Sequence, residues 1–574
     1  MQAFDFHQVK LLPGMLRDTV TEMADFYRAI PNDDILKYMR EAAGLPAPGR
    51  YLTGWYAHSR GMGTLGQWVS AYCRLYALTG NEADCEKAIE LIENFWLCHD
   101  LTRDSKRPLL GARSFYAFEK LVRALGDLQI YAAYPMRDRV IQLVDFALEK
   151  LGRSNKFGDN GAEWYTLPES LYEAAILFDL PKAAEAAAIW EYRDFWDLFN
   201  DGHDPFSRKP EAGLYSDFCH AYSHVNSFNS CAMAWQYHGD PYYLKALKSF
   251  YIFMQETQVM ATGGYGPEFE HLMPKDRIIN ALRTSHDSFE TQCDSYAAFR
   301  LCRHLTEITG EAVYGNWVES LIYNAVVATI PMTPEGKVLY YSDYNMYGAC
   351  KFNRQDNWTC CTGTRPLLVI DMVRQIYYHD DAGLCVSQYT PSEVTWEKDD
   401  QMVRLIQGTA FPLEDTVRMT LQMDQSRTFA LRLRQPPWLA GPMTVAINGE
   451  QVHDAVPEKG WLSLNRTWQP GDTITVLLPQ KAWLHALDTE KNGPNAFMHG
   501  PVALAAVYTG PQTPNDQMNV RKLIDRLIPV PGRPLHYTVE NCDTLAFKPF
   551  YEFQENERYF LYHDTTAHAT IRFP

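Results

Sequence analysis

The apolar and polar positions of the chain follow a helical period from Met15 to about Asp380. Three of these periodic segments end in a turn that contains a glycine, namely Gly80, Gly239 and Gly310, and a new amphipathic segment follows each turn. A glycine can take the left-handed conformation that ends a helix, so each pair of segments predicts a helical hairpin. Further helical stretches are residues 15–30, 114–132, 137–151, 167–179 and 182–198, which brings the expected total to about a dozen helices.

Helices arranged in hairpins indicate either an open α-solenoid or a closed (α/α)6 toroid. The spacing between the hairpins is irregular, and long loops interrupt the series, which favours the toroid. The inner ring of helices in a toroid forms a concave mouth that suits a sugar. We therefore expect an (α/α)6 barrel over residues 15–380.

The pattern changes after residue 380 to short segments that alternate or are β-branched, separated by Gly, Pro and Asp turns. These predicted strands are residues 384–389, 394–396, 417–421, 429–434 and 473–478. They are typical of an antiparallel β-sandwich, and Asn448-Gly449 between Val445 and Val452 predicts a hairpin turn. The fold class is therefore multidomain α+β.

The domain organisation follows from these two patterns. Residues 1–14 are expected to add a strand, near Phe4 to Leu11, to the β region. Residues 15–380 are expected to form the catalytic barrel, and residues 381–574 the β-sandwich region, as one or two β units. No group of catalytic residues stands out in the β region, so we expect the chemistry to lie in the barrel.

Composition narrows the class of protein further. The chain has 574 residues, of which 46% are hydrophobic and 13% aromatic, and this describes a globular protein with full cores. The net charge of −17 argues against a nucleic acid or an anionic membrane as a partner. The amino-terminal residues lack a signal-peptide pattern, and the 12 cysteines do not form a dense disulfide framework. We therefore expect a cytoplasmic protein, unless a signal segment has been removed.

Two adjacent cysteines, Cys360 and Cys361, lie in a polar stretch that predicts a turn-rich loop. A disulfide between neighbouring cysteines is strained, whereas two neighbouring thiolates can share one soft metal ion. Glu290 and Cys293 are three residues apart, so on a helix they project from one face and can complete a four-ligand site. The alternative is that these cysteines fill the core, because free cysteine is often buried.

The pairing of a Glu-Thr-Gln-Cys element with a later Cys-Cys stretch resembles glycoside hydrolase family 127, the β-L-arabinofuranosidases and their relatives, over roughly residues 10–400. The resemblance implies a zinc ion held by Glu290, Cys293, Cys360 and Cys361, with Cys360 as the nucleophile of a retaining exo-glycosidase. The family has Glu-Thr-Cys and Cys-Cys-Pro-Pro-Asn at these places, whereas this chain has Glu-Thr-Gln-Cys and Cys-Cys-Thr-Gly-Thr. These departures indicate a divergent branch with a different sugar specificity.

The glycine-rich residues 262–266 lead to two carboxylates, Glu268 and Glu270. The stretch lacks the lysine and the preceding strand of a phosphate-binding loop. It resembles the family's loop that carries the general acid/base, and we favour Glu270 over Glu268 because the residues after Glu270 are more similar to that loop. The alternative is that both are solvated loop carboxylates.

Several residues are candidates for binding the sugar. His224 resembles the family's sugar-binding histidine, although a histidine at a helix start is often structural. Lys120 stands where the family has a histidine that faces the sugar, and a lysine there suits the carboxylate of a uronic acid; a surface lysine is the alternative. The remaining candidates are Trp164 and Tyr165 for stacking, Glu169 as a carboxylate, and Arg365 for an anion or as a helix cap.

Together with these residues, the resemblance implies a zinc-dependent retaining exo-glycoside hydrolase that acts on an oligosaccharide or glycoside. Its substrate is expected to be a β-L-arabinofuranoside or, because of Lys120, a β-glucuronide-like uronic acid. One alternative is an (α/α)6 unsaturated uronyl hydrolase or sugar epimerase without catalytic zinc. A second is a non-catalytic carbohydrate-binding protein with a structural zinc. The sequence leaves the oligomeric state open, with a homodimer among the possibilities.

Overall fold

The computed structural model describes residues 1–152, 163–203, 205–206, 219–353, 356–398, 401–490, 493–509, 518–563 and 570–571. Its helices are α1 (Met15–Arg28), α2 (Asn32–Ala42), α3 (Trp55–His58), α4 (Met62–Thr79), α5 (Glu82–Thr102), α6 (Phe115–Tyr131), α7 (Arg137–Lys150), α8 (Leu167–Leu177), α9 (Pro181–Ile189), α10 (Arg193–Asn200), α11 (Ala221–His238), α12 (Pro241–Phe253), α13 (Pro267–Glu270), α14 (Lys275–Thr284), α15 (Gln292–Thr309), α16 (Tyr314–Leu321), α17 (Cys360–Asp371) and α18 (Val520–Leu523).

Six of these helices close a ring. Around the ring, α4 packs on α6, α6 on α8, α8 on α11, α11 on α15, α15 on α17, and α17 returns to α4. An outer helix packs on each inner one: α5 on α4, α7 on α6, α9 on α8, α12 on α11, α16 on α15 and α1 on α17. A solenoid would leave the first and last hairpins apart, so the predicted (α/α)6 barrel is confirmed.

The predicted hairpin turns are confirmed as well. Gly80, Gly239 and Gly310 follow α4, α11 and α15 with φ of 70°, 69° and 68°, the left-handed conformation that closes these helices. The prediction of a single helix over residues 182–198 is wrong, because α9 ends at Ile189 and α10 begins at Arg193. The apolar period continues across the break because Trp190 is also buried.

Five of the six inner helices are followed by a returning outer helix, and α17 is paired with α1 from the start of the chain, so the inner helices run in the same direction. The first turns of α4, α6, α11, α15 and α17 line one cavity, and the second halves of the inner helices line another. The barrel therefore has an N-terminal end and a C-terminal end, named after the helix ends that meet there.

The strands are β1 (Gln2–Ala3), β2 (Val9–Leu11), β3 (Cys219–His220), β4 (His271–Leu272), β5 (Tyr377–Asp380), β6 (Gly383–Val386), β7 (Ser392–Lys398), β8 (Gln401–Thr409), β9 (Thr416–Gln422), β10 (Arg427–Arg434), β11 (Thr444–Ile447), β12 (Glu450–Gln451), β13 (Val456–Glu458), β14 (Trp461–Trp468), β15 (Thr473–Leu477), β16 (Ala482–Ala486), β17 (Asn495–His499), β18 (Val502–Tyr508), β19 (Met518–Asn519), β20 (Leu527–Pro529), β21 (Tyr537–Val539), β22 (Cys542–Pro549), β23 (Tyr562–His563) and β24 (Thr570–Ile571).

Two sheets follow the barrel in sequence, in the orders β1-β5-β6-β10-β14-β13 and β12-β11-β15-β9-β8-β7-β2. Their strand pairs are antiparallel except β6 with β10, which run parallel. The amino-terminal strands β1 and β2 pair with β5 and β7, one in each sheet. Asn448 and Gly449, with φ of 52° and 88°, form the predicted turn between β11 and β12.

A third sheet, β16-β17-β18-β22-β21-β20 with β23 beside β17, braces the barrel. The Tyr562 hydroxyl accepts a hydrogen bond from the Ala261 amide at 2.6 Å, and Ala349 forms a bridge with Tyr559. This sheet therefore supports the loops next to residues 262–266. None of the helices in the described part of the chain combines the length and the apolar content that crossing a bilayer requires.

Candidate active site

Three cysteine sulfurs meet at the N-terminal end of the barrel. Cys360 and Cys361 are the first two residues of α17, and Cys293 is the second residue of α15. Their sulfur atoms lie within 4.8 Å of one another, and those of Cys293 and Cys361 are 3.4 Å apart. Tetrahedral ligands about 2.3 Å from a zinc ion are about 3.8 Å from one another, so this set of donors fits zinc.

The vicinal cysteines begin a helix and do not lie in the polar loop predicted from their neighbours. Thr359 precedes the helix with φ and ψ of −68° and 176°. The small polar residues that follow are buried, and the Thr364 hydroxyl accepts a hydrogen bond from the Gln67 amide at 3.0 Å and lies 3.1 Å from the Cys293 sulfur. Their polarity satisfies buried neighbours, which is why it does not mark a surface turn.

The three thiols share one negative charge. Hydrogen bonds from Cys293 and Cys361, joined by one from the Tyr340 hydroxyl at 3.0 Å, hold the pKa of Cys360 well below its usual range. Burial raises the pKa of Cys293 and of Cys361. Because one thiolate makes it harder to ionise its neighbours, the charge resides on Cys360, at the start of a helix where the dipole favours an anion.

Glu270 approaches this cluster from a left-handed turn. Glu268, Phe269 and Glu270 have φ of 49°, 68° and 64°, a conformation that costs about 1–2 kcal/mol per residue. One Glu270 carboxyl oxygen is 3.0 Å from the Tyr340 hydroxyl, whose single proton points either to Glu270 or to the Cys360 sulfur, and the other is 3.2 Å from the Thr291 hydroxyl. The Tyr340 hydroxyl therefore lies between the Glu270 carboxylate and the Cys360 sulfur.

His220 lies between two carboxylates. Its Nε2 is 3.8 Å from Glu270 Oε2, and its Nδ1 is 3.9 Å from Glu163 Oε1. Burial lowers the pKa of His220, but the hydrogen bond and charge of Glu270 and the charge of Glu163 together raise it to about 9. Burial also raises the pKa of Glu163. His220 therefore joins Glu163 and Glu270 in one acid–base array.

These groups surround a cavity of about 480 Å³ at the N-terminal end of the barrel. Its lining is Trp55, His58, Ser59, Arg60, Met62, Gly63, Leu109, Ser114, Tyr116, Ala117, Glu163, His220, Tyr222, Glu270, Cys293 and Cys360. Within the described part of the chain, the Tyr116 hydroxyl and Glu163 Oε2 are buried and have no hydrogen-bond partner. Both can therefore bind the hydroxyls of a sugar.

Glu290 does not join the cysteines. Its carboxylate accepts a hydrogen bond from the Thr262 hydroxyl at 2.8 Å and fills the space beside Gly264, where a side chain would come within 1.1 Å of Glu290 Oε2. The predicted alignment with Cys293 needed both residues on one helix, but α15 begins at Gln292. Glu290 therefore supports the glycine-rich stretch that leads to Glu270.

His224 and Lys120 also lie outside the cavity. His224 is one helical turn after His220, hydrogen-bonds the His220 carbonyl at 2.8 Å, and packs 5.0 Å from the Tyr165 ring. Lys120 is 4% exposed, pairs with Glu119 at 2.7 Å, and is covered by the Tyr116 ring at 3.7 Å. Neither residue is part of the lining of the 480 Å³ cavity.

The other candidates have structural partners. Trp164 packs edge-on against Tyr165, whose hydroxyl is 2.7 Å from the Ser223 hydroxyl. Glu169 is fully buried and accepts a hydrogen bond from Arg300 at 2.7 Å. Arg365 and Glu268 form ion pairs away from the cavity. Arg365 pairs with Glu22 at 2.6 Å, and Glu268 pairs with Arg277 at 2.7 Å.

Sequence reasoning missed Tyr340, His220, Glu163 and Tyr116. His220 was detectable, because it stands one helical turn before the histidine that was chosen. Tyr340 and Glu163 lie in stretches between helices, where the sequence has no period from which to infer their direction.

An (α/α)6 barrel whose helix starts surround a carboxylate, a thiolate and aromatic rings defines a class of carbohydrate-active enzyme. Residues 182–367 match the family described as β-L-arabinofuranosidase, GH127 catalytic domain, and residues 383–480 match the GH127 middle domain. The chain belongs to glycoside hydrolase family 127. A comparison with curated proteins found no match.

Solved structures share the fold over nearly the whole chain. A GH127 β-L-arabinofuranosidase from Geobacillus stearothermophilus T6 has 18% identity and a TM-score of 0.72, covering 96% of this chain and 99% of its own. A second GH127 β-arabinofuranosidase has 14% identity and a TM-score of 0.72, covering 100% and 99%. A structure described as a glycoside hydrolase has 15% identity and a TM-score of 0.68, covering 98% and 97%.

Proposed function

We propose that the chain hydrolyses the glycosidic bond of a terminal sugar with retention of configuration, as a β-L-arabinofuranosidase-like enzyme. Cys360 is the nucleophile and Glu270 the general acid/base. The observation that carries this proposal is that the Tyr340 hydroxyl is 3.0 Å from both the Glu270 carboxylate and the Cys360 sulfur. Two such contacts at a bent hydroxyl separate the two groups by about 5 Å, the spacing typical of retaining enzymes.

The side chains divide the reaction into two steps. In the first, the Cys360 sulfur attacks the anomeric carbon while Glu270 gives its proton to the departing oxygen, which leaves the sugar bound to the sulfur. In the second, Glu270 takes a proton from water, and the water oxygen displaces the Cys360 sulfur. Tyr340 keeps the two groups aligned in both steps.

The cysteines fit the zinc ion that the family resemblance implies. Cys293, Cys360 and Cys361 would hold it, because their three sulfurs already have the spacing of zinc ligands. When bound, zinc would keep these thiols deprotonated near neutral pH. Glu290 is not part of this ligand set, because its carboxylate is directed to Thr262.

The cavity favours a neutral sugar over a uronic acid. The hypothesis of a uronide rested on Lys120, which is buried, ion-paired and covered by Tyr116. Glu163 and Glu270 line the cavity instead, and the cationic side chains beside them already have partners: His220 lies against the two glutamates, and Arg60 donates to the Arg107 and Pro108 carbonyls. Sugar hydroxyls, in contrast, can donate to Glu163 and bind the Tyr116 hydroxyl.

One observation favours a second candidate function. Glu163, His220 and Glu270 form an acid–base array that could serve a sugar epimerase or a hydrolase with no role for a thiol. The two candidates differ in their need for Cys360.

As for the domains, we propose that residues 15–380 form the catalytic unit and that the flanking β segments brace it.

The test is hydrolysis of a panel of nitrophenyl glycosides that includes the β-L-arabinofuranoside and the β-D-glucuronide. We expect the arabinofuranoside to be cleaved with retention, measured by proton NMR, and the glucuronide to be a poor substrate. We also expect about one zinc per chain in protein purified without chelator. Cleavage that survives Cys360→Ala would overturn the nucleophile and support the second candidate.

A further inference from the structure

A second cavity, of about 280 Å³, lies at the C-terminal end of the barrel. It is lined by the second halves of inner helices and by the residues that follow α17, so the length of the inner helices separates it from the cysteine cluster. The proposed reaction uses none of its residues. Its floor is rich in arginine, including Arg74, Arg123, Arg300, Arg303 and Arg374.

Two of these arginines make no ion pair with the described residues, although the Arg374 guanidinium lies over the Phe6 ring, 5.6 Å from its centroid. Arg303 is 9% exposed, and Arg374 has a buried Nε atom without a hydrogen-bond partner. Neither guanidinium forms a hydrogen bond or an ion pair with any residue that the structure describes. Arg303 is buried and Arg374 is half-buried, and guanidinium donors that have no acceptor beside a cavity are suited to an anion.

The other arginines of the floor are neutralised. Arg74 pairs with Asp127 at 3.0 Å and with Asp371 at 2.8 Å, and Arg300 pairs with Glu169 at 2.7 Å. Arg123 pairs with Glu119, Glu169 and Glu173. The unpaired guanidinium groups of the floor are therefore those of Arg303 and Arg374 among the described residues.

Among the carboxylates that line the cavity, Glu307 interacts electrostatically with both Arg303 and Arg374. It lies on α15 one turn after Arg303 and accepts a hydrogen bond from the Ala3 amide at 3.2 Å. Burial raises its pKa, but the charges of Arg303 and Arg374 outweigh burial and lower it. Asp5 and Asp371 also act on Arg374, but among the described residues no carboxylate lies within ion-pair distance of either guanidinium, so the N–H donors of Arg303 and Arg374 remain available to a ligand.

The rim of the cavity is apolar. Ile130, Ile176 and Leu177 line it and are 50%, 51% and 40% exposed. Exposed aliphatic side chains next to a polar floor are typical of a ligand site. The ligand that matches both features has a charged group for the arginines and an apolar body for the rim.

We propose that this cavity binds a small organic carboxylate with an apolar body. Its carboxylate accepts hydrogen bonds from Arg303 and Arg374, whose planar guanidinium groups match the two carboxylate oxygens. Its apolar part covers Ile130, Ile176 and Leu177. The negative dipole ends of the inner helices explain why arginines gather here, but not why two of them have no partner.

The test is calorimetric titration of the full-length protein with hexanoate, inorganic phosphate and 1-hexanol. We expect hexanoate to bind with saturation and the other two to bind at least about tenfold more weakly, because each lacks one of the two features. Phosphate binding as tight as that of hexanoate would overturn the choice of an organic ligand. Hexanol binding as tight would overturn the role of the arginines.

Variants locate the site. Arg303→Gln and Arg374→Gln should each weaken hexanoate binding about tenfold, whereas Arg17→Gln, at an exposed position on α1, should not change it. Ile176→Asp replaces an exposed apolar side chain of the rim with a carboxylate, so it tests whether the rim binds the apolar part of hexanoate without disturbing the protein core. Cys360→Ala should bind hexanoate normally, which separates this proposal from the proposed hydrolysis. Equal hexanoate affinity in the Arg303, Arg374 and Ile176 variants and the wild type would overturn the proposal.

Discussion

The two ends of the barrel gather different ionisable groups, with thiols and acids at the N-terminal end and arginines among carboxylates at the C-terminal end. The N-terminal end holds the Cys360 thiolate, Glu163 and Glu270, whereas the C-terminal end holds the arginine floor. The six inner helices run in one direction, so their positive dipole ends meet at the first cavity and their negative ends at the second. Because the inner helices share one direction, a thiolate is more stable at the N-terminal end of the barrel, whichever side chain carries it.

Loss of the nucleophile should give the largest effect at the N-terminal end. We expect Cys360→Ala to reduce kcat/KM by about 10³-fold or more, because no other group can take the place of the sulfur in the covalent step. The measurement is the initial rate on the best nitrophenyl glycoside. Cys302→Ala is the matched control, a buried cysteine on α15 that does not line the cavity, and should stay within about threefold of wild type.

Loss of the acid/base should have the next largest effect. We expect Glu270→Gln to lower kcat by about 10²–10⁴-fold, since glutamine cannot donate a proton to the leaving group. Glu268→Gln is the control two residues earlier, because Glu268 pairs with Arg277 and does not line the cavity. A leaving group of low pKa should rescue Glu270→Gln in part. The assignment would be reversed if Glu268→Gln were the slower enzyme.

Substitutions at the C-terminal end should lower the stability of the protein and leave its rate of hydrolysis unchanged. Arg300→Met leaves the Glu169 carboxylate fully buried with fewer partners, and breaking a buried pair of this kind costs about 3–5 kcal/mol. The free energy of unfolding in urea measures this loss. Lys182→Met removes an exposed ion pair with Asp145 and should cost less than about 1 kcal/mol. Equal losses in the two variants would show that burial does not distinguish them.

The sequence predicted those features that depend on local periods and on the resemblance. Helix hairpins ending at Gly80, Gly239 and Gly310 follow from the apolar period and from the conformation of glycine. Glu270 and the three cysteines were found because the family motif names them. These features need no knowledge of how the helices are rotated against one another.

Other features depend on rotation and on where each helix begins. Glu290 turned away from the cysteines because α15 starts two residues after it. His220 and His224 are one turn apart, and only the packing of His224 against aromatic rings decides which of them reaches the cavity. Lys120 carries the same uncertainty, since its partner Glu119 and its cover Tyr116 appear only once α6 is placed in the ring.

Lys351 is a buried lysine outside both ends of the barrel, and it should give the smallest of the predicted effects. It contrasts with the paired arginines because its hydrogen-bond partner is a backbone carbonyl. Lys351 donates a hydrogen bond to the Phe550 carbonyl at 2.8 Å, and burial lowers its pKa to about 7. An unfolded lysine has a pKa of about 10.4, so between these values the unfolded chain binds more protons and stability should rise with pH.

The matched measurement compares wild type with Lys351→Met in urea at pH 7 and at pH 9.5. The cost of charging Lys351 in the folded state is fully present below pH 7 and is lost as the pH rises toward the unfolded pKa. We therefore expect wild type to gain about 3 kcal/mol relative to the variant over this interval. Buried tyrosines that titrate at high pH affect both proteins equally, so the difference isolates the lysine. A difference that does not change with pH would mean that Lys351 stays charged in the folded protein, as the paired arginines do.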